Sequence, residues 1–428
     1  MILLDVGIFV FMYLLLRLSG KQRKSPEMMF LITWIVICVC YAINLLDLYD
    51  ISLKTVLIIL VGVVSFVVGS QISIRLTTHS NRKLINQSIH IGDYCYYLRF
   101  WVVVILSLIA IPVLTIDAIA SILSFQSGVN FQDILLTVKQ EEESRGLIRQ
   151  LLTVYIAYPF SYAIIPIWAT ELFSQNISKK GKVYLSIVTA LCVGLRTMHH
   201  GARLYIALVI LYVVFAVMIK GKAIKIKHKT KRRIIVGVVI CLVLFVIVSK
   251  SRGIGELGKS VYLYLYGCVP LLENKITLID ANRWQAYGFA SAYGFYAPIM
   301  YILRGFGIVQ GTWFATVTDY VNVESFTSIG SGIRFNAFVT TFYYPYLDFG
   351  FIGVCLIMII YGMISRNAYN RLHERGNMGL VLYVSILMSI VTSGVRLQFS
   401  SYQFALSLLY ILLLYKPTTL NEIKELNN

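Results

Sequence analysis

Apolar residues recur along this chain in runs that are long enough to cross a lipid bilayer, and short polar turns separate them. A membrane-spanning helix needs about 20 mostly apolar residues. By this criterion the sequence predicts about eleven spanning helices, within a range of about 10–12. The predicted spans are residues 2–18, 28–48, 55–74, 100–120, 150–170, 183–199, 203–219, 234–249, 348–364, 379–394 and 402–415.

The composition agrees with this pattern, because 58% of the 428 residues are hydrophobic and only 14% are charged. Soluble domains carry about 25% charged residues. The polar side chains are too few to cover a water-exposed surface of this size, so a bilayer must solvate much of the apolar excess. The predicted fold class is an all-α polytopic integral membrane protein.

The net charge of +18 comes mainly from short loops between the apolar runs. If the first loop, with Lys21, Arg23 and Lys24, is cytoplasmic, then alternate loops hold most of the 38 lysines and arginines. This is the positive-inside pattern of membrane proteins, so nucleic acid is not an expected partner. The predicted N-terminus is outside, and the predicted C-terminus is cytoplasmic.

One long segment, residues 250–347, interrupts the series of spans on the predicted outer side. Its apolar pieces, residues 261–272 and 286–303, are predicted to be re-entrant or interfacial helices of a folded loop, because a span there would reverse the charge pattern. The chain therefore divides into an N-terminal bundle of about eight helices (1–249), the extracytoplasmic loop (250–347) and about three C-terminal helices (348–428).

Arginines at predicted outer helix ends are the main candidates for chemistry. The guanidinium group binds phosphate oxygens bidentately and stays charged. Contacts with lipid headgroups are the alternative explanation for any one of them. The predicted diphosphate-binding set is Arg196, Arg203, Arg252, Arg334 and Arg396.

Aromatic, amide, imidazole and carboxylate side chains complete the predicted site. Trp284, Tyr344 and Asn336 are candidate sugar contacts, although outer tyrosines and tryptophans also form the aromatic belts of membrane proteins. His200 and Asp348 are the catalytic candidates. The alternative for His200 is an ordinary solvent-exposed side chain, and Asp319 and Glu324 are alternatives for the general base that accepts a proton from a sugar hydroxyl. The seven cysteines show no CxxC pair and no zinc spacing, so no metal or cofactor is expected.

The segment SGIRFNAFVTTFYYPYLDFGFIG, residues 331–353, resembles the end of the large outer loop in Wzy-type oligosaccharide repeat-unit polymerases. The turn at residues 198–203 is similar to another feature of that family, with Arg203 at the position of its arginine. The matching residues in the longer segment are Asn336, Thr341, Phe342, Tyr346, Asp348, Phe349, Gly350 and Gly353.

The resemblance implies a fold related to the GT-C-like membrane glycosyltransferases, in the bacterial cytoplasmic membrane. It implies a metal-independent enzyme, which transfers a saccharide chain from polyprenyl diphosphate to the terminal hydroxyl of a lipid-linked repeat unit at the outer face. The implied partners are lipid-linked oligosaccharide, membrane lipids, and a chain-length regulator and a flippase of the same pathway. A ligase of finished polymer and a flippase or transporter of lipid-linked units are the alternatives.

Overall fold

The computed structural model describes residues 1–84, 94–126, 146–174, 177–200, 204–220, 262–264, 266–308, 312–322, 326–335, 338–372 and 375–419. The longer helices in these ranges are α1 (Ile2–Leu18), α2 (Pro26–Ile43), α3 (Leu53–Leu84), α4 (Phe100–Gln126), α5 (Leu147–Leu151), α6 (Tyr158–Glu171), α7 (Lys179–His200), α8 (Leu204–Lys220), α9 (Cys268–Asn282), α10 (Tyr293–Gly305), α11 (Thr312–Asn322), α12 (Thr340–Asn370), α13 (Gly376–Val391) and α14 (Tyr402–Leu414). The strands are β1 (Tyr94–Leu98), β2 (Thr327–Gly330), β3 (Ile333–Phe335) and β4 (Tyr415–Thr419).

Within the described ranges, six helical segments are long and apolar enough to cross a membrane. They are Pro26–Ile43, Leu53–Leu76, Phe100–Leu123, Ile148–Glu171, Lys179–His199 and Thr340–Asn370. Three shorter apolar helices, α8, α13 and α14, accompany them. The helical membrane character predicted from the sequence is therefore confirmed. The count of eleven spans stays a prediction, and residues 234–249 lie outside the described residues.

The longest helices, α3 and α12, pack with their backbones in direct contact. A Cβ atom added at Gly69 would lie 2.0 Å from the carbonyl oxygen of Ile359, and one added at Gly362 would lie 2.1 Å from that of Phe66. Small residues allow this close approach, which supplies much of the packing energy between membrane helices. The Phe66 ring also stacks on Phe30 of α2 at 4.0 Å, so three helices meet at this point.

A π-helical turn, Leu152–Ala157, connects α5 to α6. Pro159 has no N–H group, so the carbonyl of Tyr155 lacks the usual helical donor four residues ahead. Tyr410 of α14 donates to that carbonyl from its hydroxyl at 2.7 Å. The proline thus creates a local irregularity that joins α6 to α14.

The predicted outer loop folds into short helices and a β-hairpin. Helices α9, α10 and α11 have 15, 13 and 11 residues, so each is shorter than a membrane span. The antiparallel hairpin β2–β3 contacts the α2–α3 turn, where Tyr49 donates its N–H to the carbonyl of Ile329 at 2.9 Å. Helix α10 packs against α14. The backbone comes so close at Gly294 that an added Cβ atom would lie 2.5 Å from the carbonyl oxygens of Phe399 and Ser401, so only glycine fits at this position.

Helix α12 extends beyond the predicted span of residues 348–364 at both ends. It begins at Thr340 rather than at residue 348, and it has a kink at Phe349 and Gly350. Gly350 has φ 61° and ψ −142°, a combination that residues with side chains rarely adopt. Residues 340–348 are all buried, so protein packing rather than lipid contact stabilises this first part of the helix.

A small antiparallel sheet joins two distant parts of the chain. Strand β1, just before α4, pairs with β4, just after α14, in a register that places Tyr96 opposite Pro417. The N–H group of Arg99 continues the ladder by donating to the carbonyl of Leu414 at 2.7 Å. The start of α4 is therefore held beside the end of α14.

Candidate functional site

Arg196 lies near the end of α7, and its side chain is only 1% exposed. The carbon at the centre of its guanidinium group is 3.6 Å from the centroid of the Tyr158 ring and 4.8 Å from that of Tyr205. The group also donates hydrogen bonds to the Tyr205 hydroxyl and, at 3.0 Å, to the side-chain oxygen of Gln403. Helices α6, α7, α8 and α14 together fix this positive charge inside the fold.

Arg396 follows α13 and approaches the same region from another direction. A bridge to Thr340 fixes its backbone, and its guanidinium group lies 5.7 Å from the centroid of the Tyr344 ring. The group donates a long hydrogen bond of 3.4 Å to the hydroxyl of Ser400. Within the described residues, its buried Nε atom has no hydrogen-bond acceptor, and no carboxylate lies within ion-pair distance of it.

Tyr162 lies near both arginines: its ring contacts that of Tyr205, with the centroids 6.4 Å apart, and the charges of Arg196 and Arg396 both act on it. The charge of Arg396 also reaches Tyr293 in α10. Burial raises the pKa of Tyr293 above its ordinary value, and the charge of Arg396 acts in the opposite direction. The arginine–tyrosine cluster comprises Arg196, Arg396, Tyr158, Tyr162, Tyr205, Tyr293 and Tyr344.

A buried carboxylate supports the Arg196 side of the cluster. Asp117 of α4 is fully buried and accepts a 2.7 Å hydrogen bond from Arg149, with which it forms an ion pair. The Tyr158 hydroxyl donates to the other carboxylate oxygen at 3.5 Å. Because the Tyr158 ring lies against the Arg196 guanidinium group, Asp117 helps to position the ring that holds the arginine.

His199 is the buried member of the histidine pair at the end of α7. Its Nδ1 atom is 2.8 Å from the hydroxyl oxygen of Ser121 and 3.0 Å from the carbonyl oxygen of Asp117. Two residues of α4 therefore hold this imidazole beside the arginine–tyrosine cluster. The neighbouring His200 is the last residue of α7, and its side chain lies outside the described residues.

Comparisons with protein-family models, curated proteins and solved structures found no match for this chain. Two fixed positive charges, surrounded by hydroxyl groups and aromatic faces, form an environment suited to an anion. Arginine binds phosphate oxygens with paired N–H groups, and tyrosine hydroxyls can donate further hydrogen bonds.

Asp348 has a clear structural role. One carboxylate oxygen accepts hydrogen bonds from the backbone N–H groups of Gly288 and Ala290 at 2.9 and 2.8 Å, and the other accepts from Ser291 at 2.9 Å. The carboxylate thus holds the turn before α10 against the kink of α12. Since Asp348 is fully buried, a sugar hydroxyl reaches it only if this turn opens. The catalytic role predicted for it stays a prediction.

The other predicted site residues lie in different environments. Tyr344 is 1% exposed, so its ring belongs to the interior, although it faces Arg396. Trp284 is partly exposed and stacks on Tyr320. Arg334 is exposed on β3, and among the described residues its side chain forms no ion pair or ring contact. The structure therefore brings together Arg196, Arg396 and Tyr344, but it does not join Arg334 to them.

Three predicted residues lie outside the described residues: Arg203, Arg252 and Asn336. Their predicted contacts with diphosphate or sugar stay predictions. In the part of the chain that the structure describes, no three His, Cys, Asp or Glu side chains come together in a metal-binding arrangement.

Sequence reasoning missed Asp117, and with it the connection from Arg149 to Tyr158. A signal for it was present, because a carboxylate within an apolar helix is costly unless it is paired or functional. Asp117 is the only acidic residue in the sequence of α4. Its partners could not be identified, since they come from segments that follow α4 by tens of residues.

Proposed function

We propose that this protein is a membrane glycosyltransferase that polymerises oligosaccharide repeat units carried on polyprenyl diphosphate. The observation that carries the proposal is the arginine–tyrosine cluster, in which Arg196 of α7 and Arg396, which follows α13, lie against tyrosine rings. The resemblance of residues 331–353 to the Wzy-type polymerases supports it. The proposed location is the outer face of the bacterial cytoplasmic membrane.

In the proposed reaction, a terminal sugar hydroxyl of one lipid-linked unit attacks the anomeric carbon of the chain on a second carrier. The bond from that carbon to the diphosphate oxygen breaks, and polyprenyl diphosphate leaves with the bonding electrons. The hydroxyl proton passes to a base, for which His200, Asp319, Glu324 and Asp348 are the candidates. Positive charge fixed in advance beside the leaving group stabilises the negative charge that develops there.

The two arginines have different parts in this proposal. Arg396 is partly exposed whereas Arg196 is buried, so Arg396 is the arginine that contacts the diphosphate directly. Arg196 is held against Tyr158 and Tyr205, so it adds positive charge from inside the fold. Arg203 and Arg252 stay predicted ligands of the same diphosphate.

The test is polymer formation in cells that depend on this protein. Arg396→Ala and Arg196→Ala should each reduce the rate of polymerisation about 10²-fold, by analogy with the loss of one stabilising donor. Arg203→Ala should likewise abolish polymer while single repeat units still reach their acceptor. Arg304→Ala is the matched control, because that arginine is exposed at the end of α10, and it should leave polymer unchanged.

The products also separate the alternatives. Loss of a polymerase leaves single units on the acceptor. Loss of a ligase leaves long chains on the carrier lipid, and loss of a flippase leaves single units facing the cytoplasm. Normal polymer in both the Arg196 and the Arg396 variants would contradict the proposal.

A further inference from the structure

Two partly exposed aromatic rings in the predicted outer loop stack face to face, and this pair is here called the aromatic platform. Trp284 follows α9, and Tyr320 lies in α11. Their ring centroids are 4.7 Å apart, and their planes differ by 10°. Each ring fixes the orientation of the other, so the surface is formed before any ligand arrives.

Polar residues neighbour the aromatic platform, one by direct contact and two by their position in the sequence. The exposed Asn282 donates from its amide to the Tyr320 hydroxyl at 3.0 Å, which fixes the edge of that ring. Arg283 and Asp319, next to Asn282 and Tyr320 in sequence, are exposed, and among the described residues neither forms an ion pair. The Asn282 amide thus lies at the rim of the platform, and exposed groups of both charge signs come from adjacent positions of the chain.

The aromatic platform is connected to the arginine–tyrosine cluster through Tyr293. The hydroxyl of Tyr293 donates to the hydroxyl of Thr318 at 3.1 Å, two residues before Tyr320. The charges of Asp319 and Arg396 both act on Tyr293. The hydroxyl of Tyr344 also donates to the backbone carbonyl of Val321, next to Tyr320, at 3.5 Å, and the Tyr344 ring lies 5.7 Å from the Arg396 guanidinium group. The aromatic platform is therefore near Arg396.

We propose that the aromatic platform binds the oligosaccharide portion of a lipid-linked unit. One face of a sugar ring presents C–H groups, which pack on aromatic rings, while the hydroxyls around its edge bond to amide, guanidinium and carboxylate groups. An uncharged saccharide suits a rim that carries both signs of charge. The inference rests on the proposed function, because it places the sugar next to the diphosphate bound by Arg396.

The test uses the full chain in lipid nanodiscs and an array of immobilised oligosaccharides with different terminal sugars. The wild type should bind a subset of them, and Trp284→Ala and Tyr320→Ala should each weaken that binding about tenfold or more. Trp284→Phe should retain much of it, because a ring remains to stack on Tyr320. The control is Trp313→Ala, since Trp313 is also exposed in α11 but packs edge-on against Phe289. The melting temperature of each variant checks its folding.

Three results would overturn the inference: no saccharide binding by the wild type, unchanged binding by Trp284→Ala, or an equal loss in Trp313→Ala. Binding of inorganic pyrophosphate separates it from the proposed function. If Arg396→Gln weakens pyrophosphate binding while the saccharide array fails, only the platform is wrong. If saccharides bind and pyrophosphate binding does not depend on Arg396, the proposed function fails and the platform stands as a saccharide site.

Discussion

The contact between α3 and α12 predicts a large effect of the smallest substitution at Gly69. The added Cβ atom of Gly69→Ala would lie 2.0 Å from the carbonyl oxygen of Ile359, whereas ordinary contact begins at 3.4 Å. The two backbones would have to separate by roughly 1.4 Å, which also removes dispersion contacts along the interface. Overpacking typically costs about 1–3 kcal/mol, and occasionally more. We expect a loss of about 3 kcal/mol here, because rigid backbone rather than a side chain must move.

Gly194 provides a matched control in another apolar helix. No atom lies within 4 Å of a Cβ atom added there, so Gly194→Ala should leave stability unchanged or raise it by up to about 1 kcal/mol. The assay is the melting temperature of the detergent-solubilised full chain, which is measured by fluorescence and by size exclusion. Gly69→Ala should melt about 3 °C below the wild type. Equal melting temperatures for the two alanine variants would refute the close approach of the helices.

Two further predictions concern buried carboxylates. Asp348→Asn presents an amide group to a backbone N–H donor, so it should lower the free energy of unfolding by about 1–3 kcal/mol and open the turn before α10. The open turn should increase tryptic cleavage after Arg283. The exposed Asp50→Asn should leave the cleavage rate unchanged, and the same result for Asp348→Asn would refute the prediction. Glu27→Gln disrupts a buried ion pair with Arg366 at 3.1 Å and should lower the free energy of unfolding by about 3 kcal/mol. Lys54→Ala removes an exposed ion pair and should lower it by less than about 1 kcal/mol in the same melting assay. The reverse order of the two losses would refute the prediction.

Hydropathy alone located most of the helices. Helix α1 coincides with predicted residues 2–18, and α3, α4 and α8 overlap their predicted spans, because each has a continuous apolar sequence. The start of α12 was missed, since residues 340–347 are rich in aromatic residues and contain Pro345. That segment is buried against protein, and a scale built for contact with lipid does not detect it.

The candidate site could be predicted only in part, for a related reason. Arginines at outer helix ends stand out because the positive-inside bias disfavours them, and Arg196 and Arg396 were found in this way. Their position near Tyr162 depends on how the helices pack, which periodicity does not specify. Tyr320 was missed because its role depends on Trp284, which is far from it in the sequence.

The DFGxxG sequence of residues 348–353 has a physical explanation in the kink of α12. Asp348 anchors the turn before α10, and Gly350 has a positive φ of 61°, which residues with side chains rarely adopt. A Cβ atom added at Gly353 would lie 2.2 Å from the carbonyl oxygen of Pro345. These three residues therefore stabilise the kink of α12, and this explanation does not depend on which reaction the protein catalyses.

The pairing of β1 with β4 bears on biogenesis. A ribosome delivers β1 to the membrane long before it makes β4, so the edge of β1 waits for its partner while eleven of the described helices, α4 to α14, are synthesised. An exposed strand edge is open to pairing with other chains during that interval. Completion of this sheet is consequently a late step in maturation, and a nascent protein that stalls before residue 415 would present an unpaired edge to quality-control proteases.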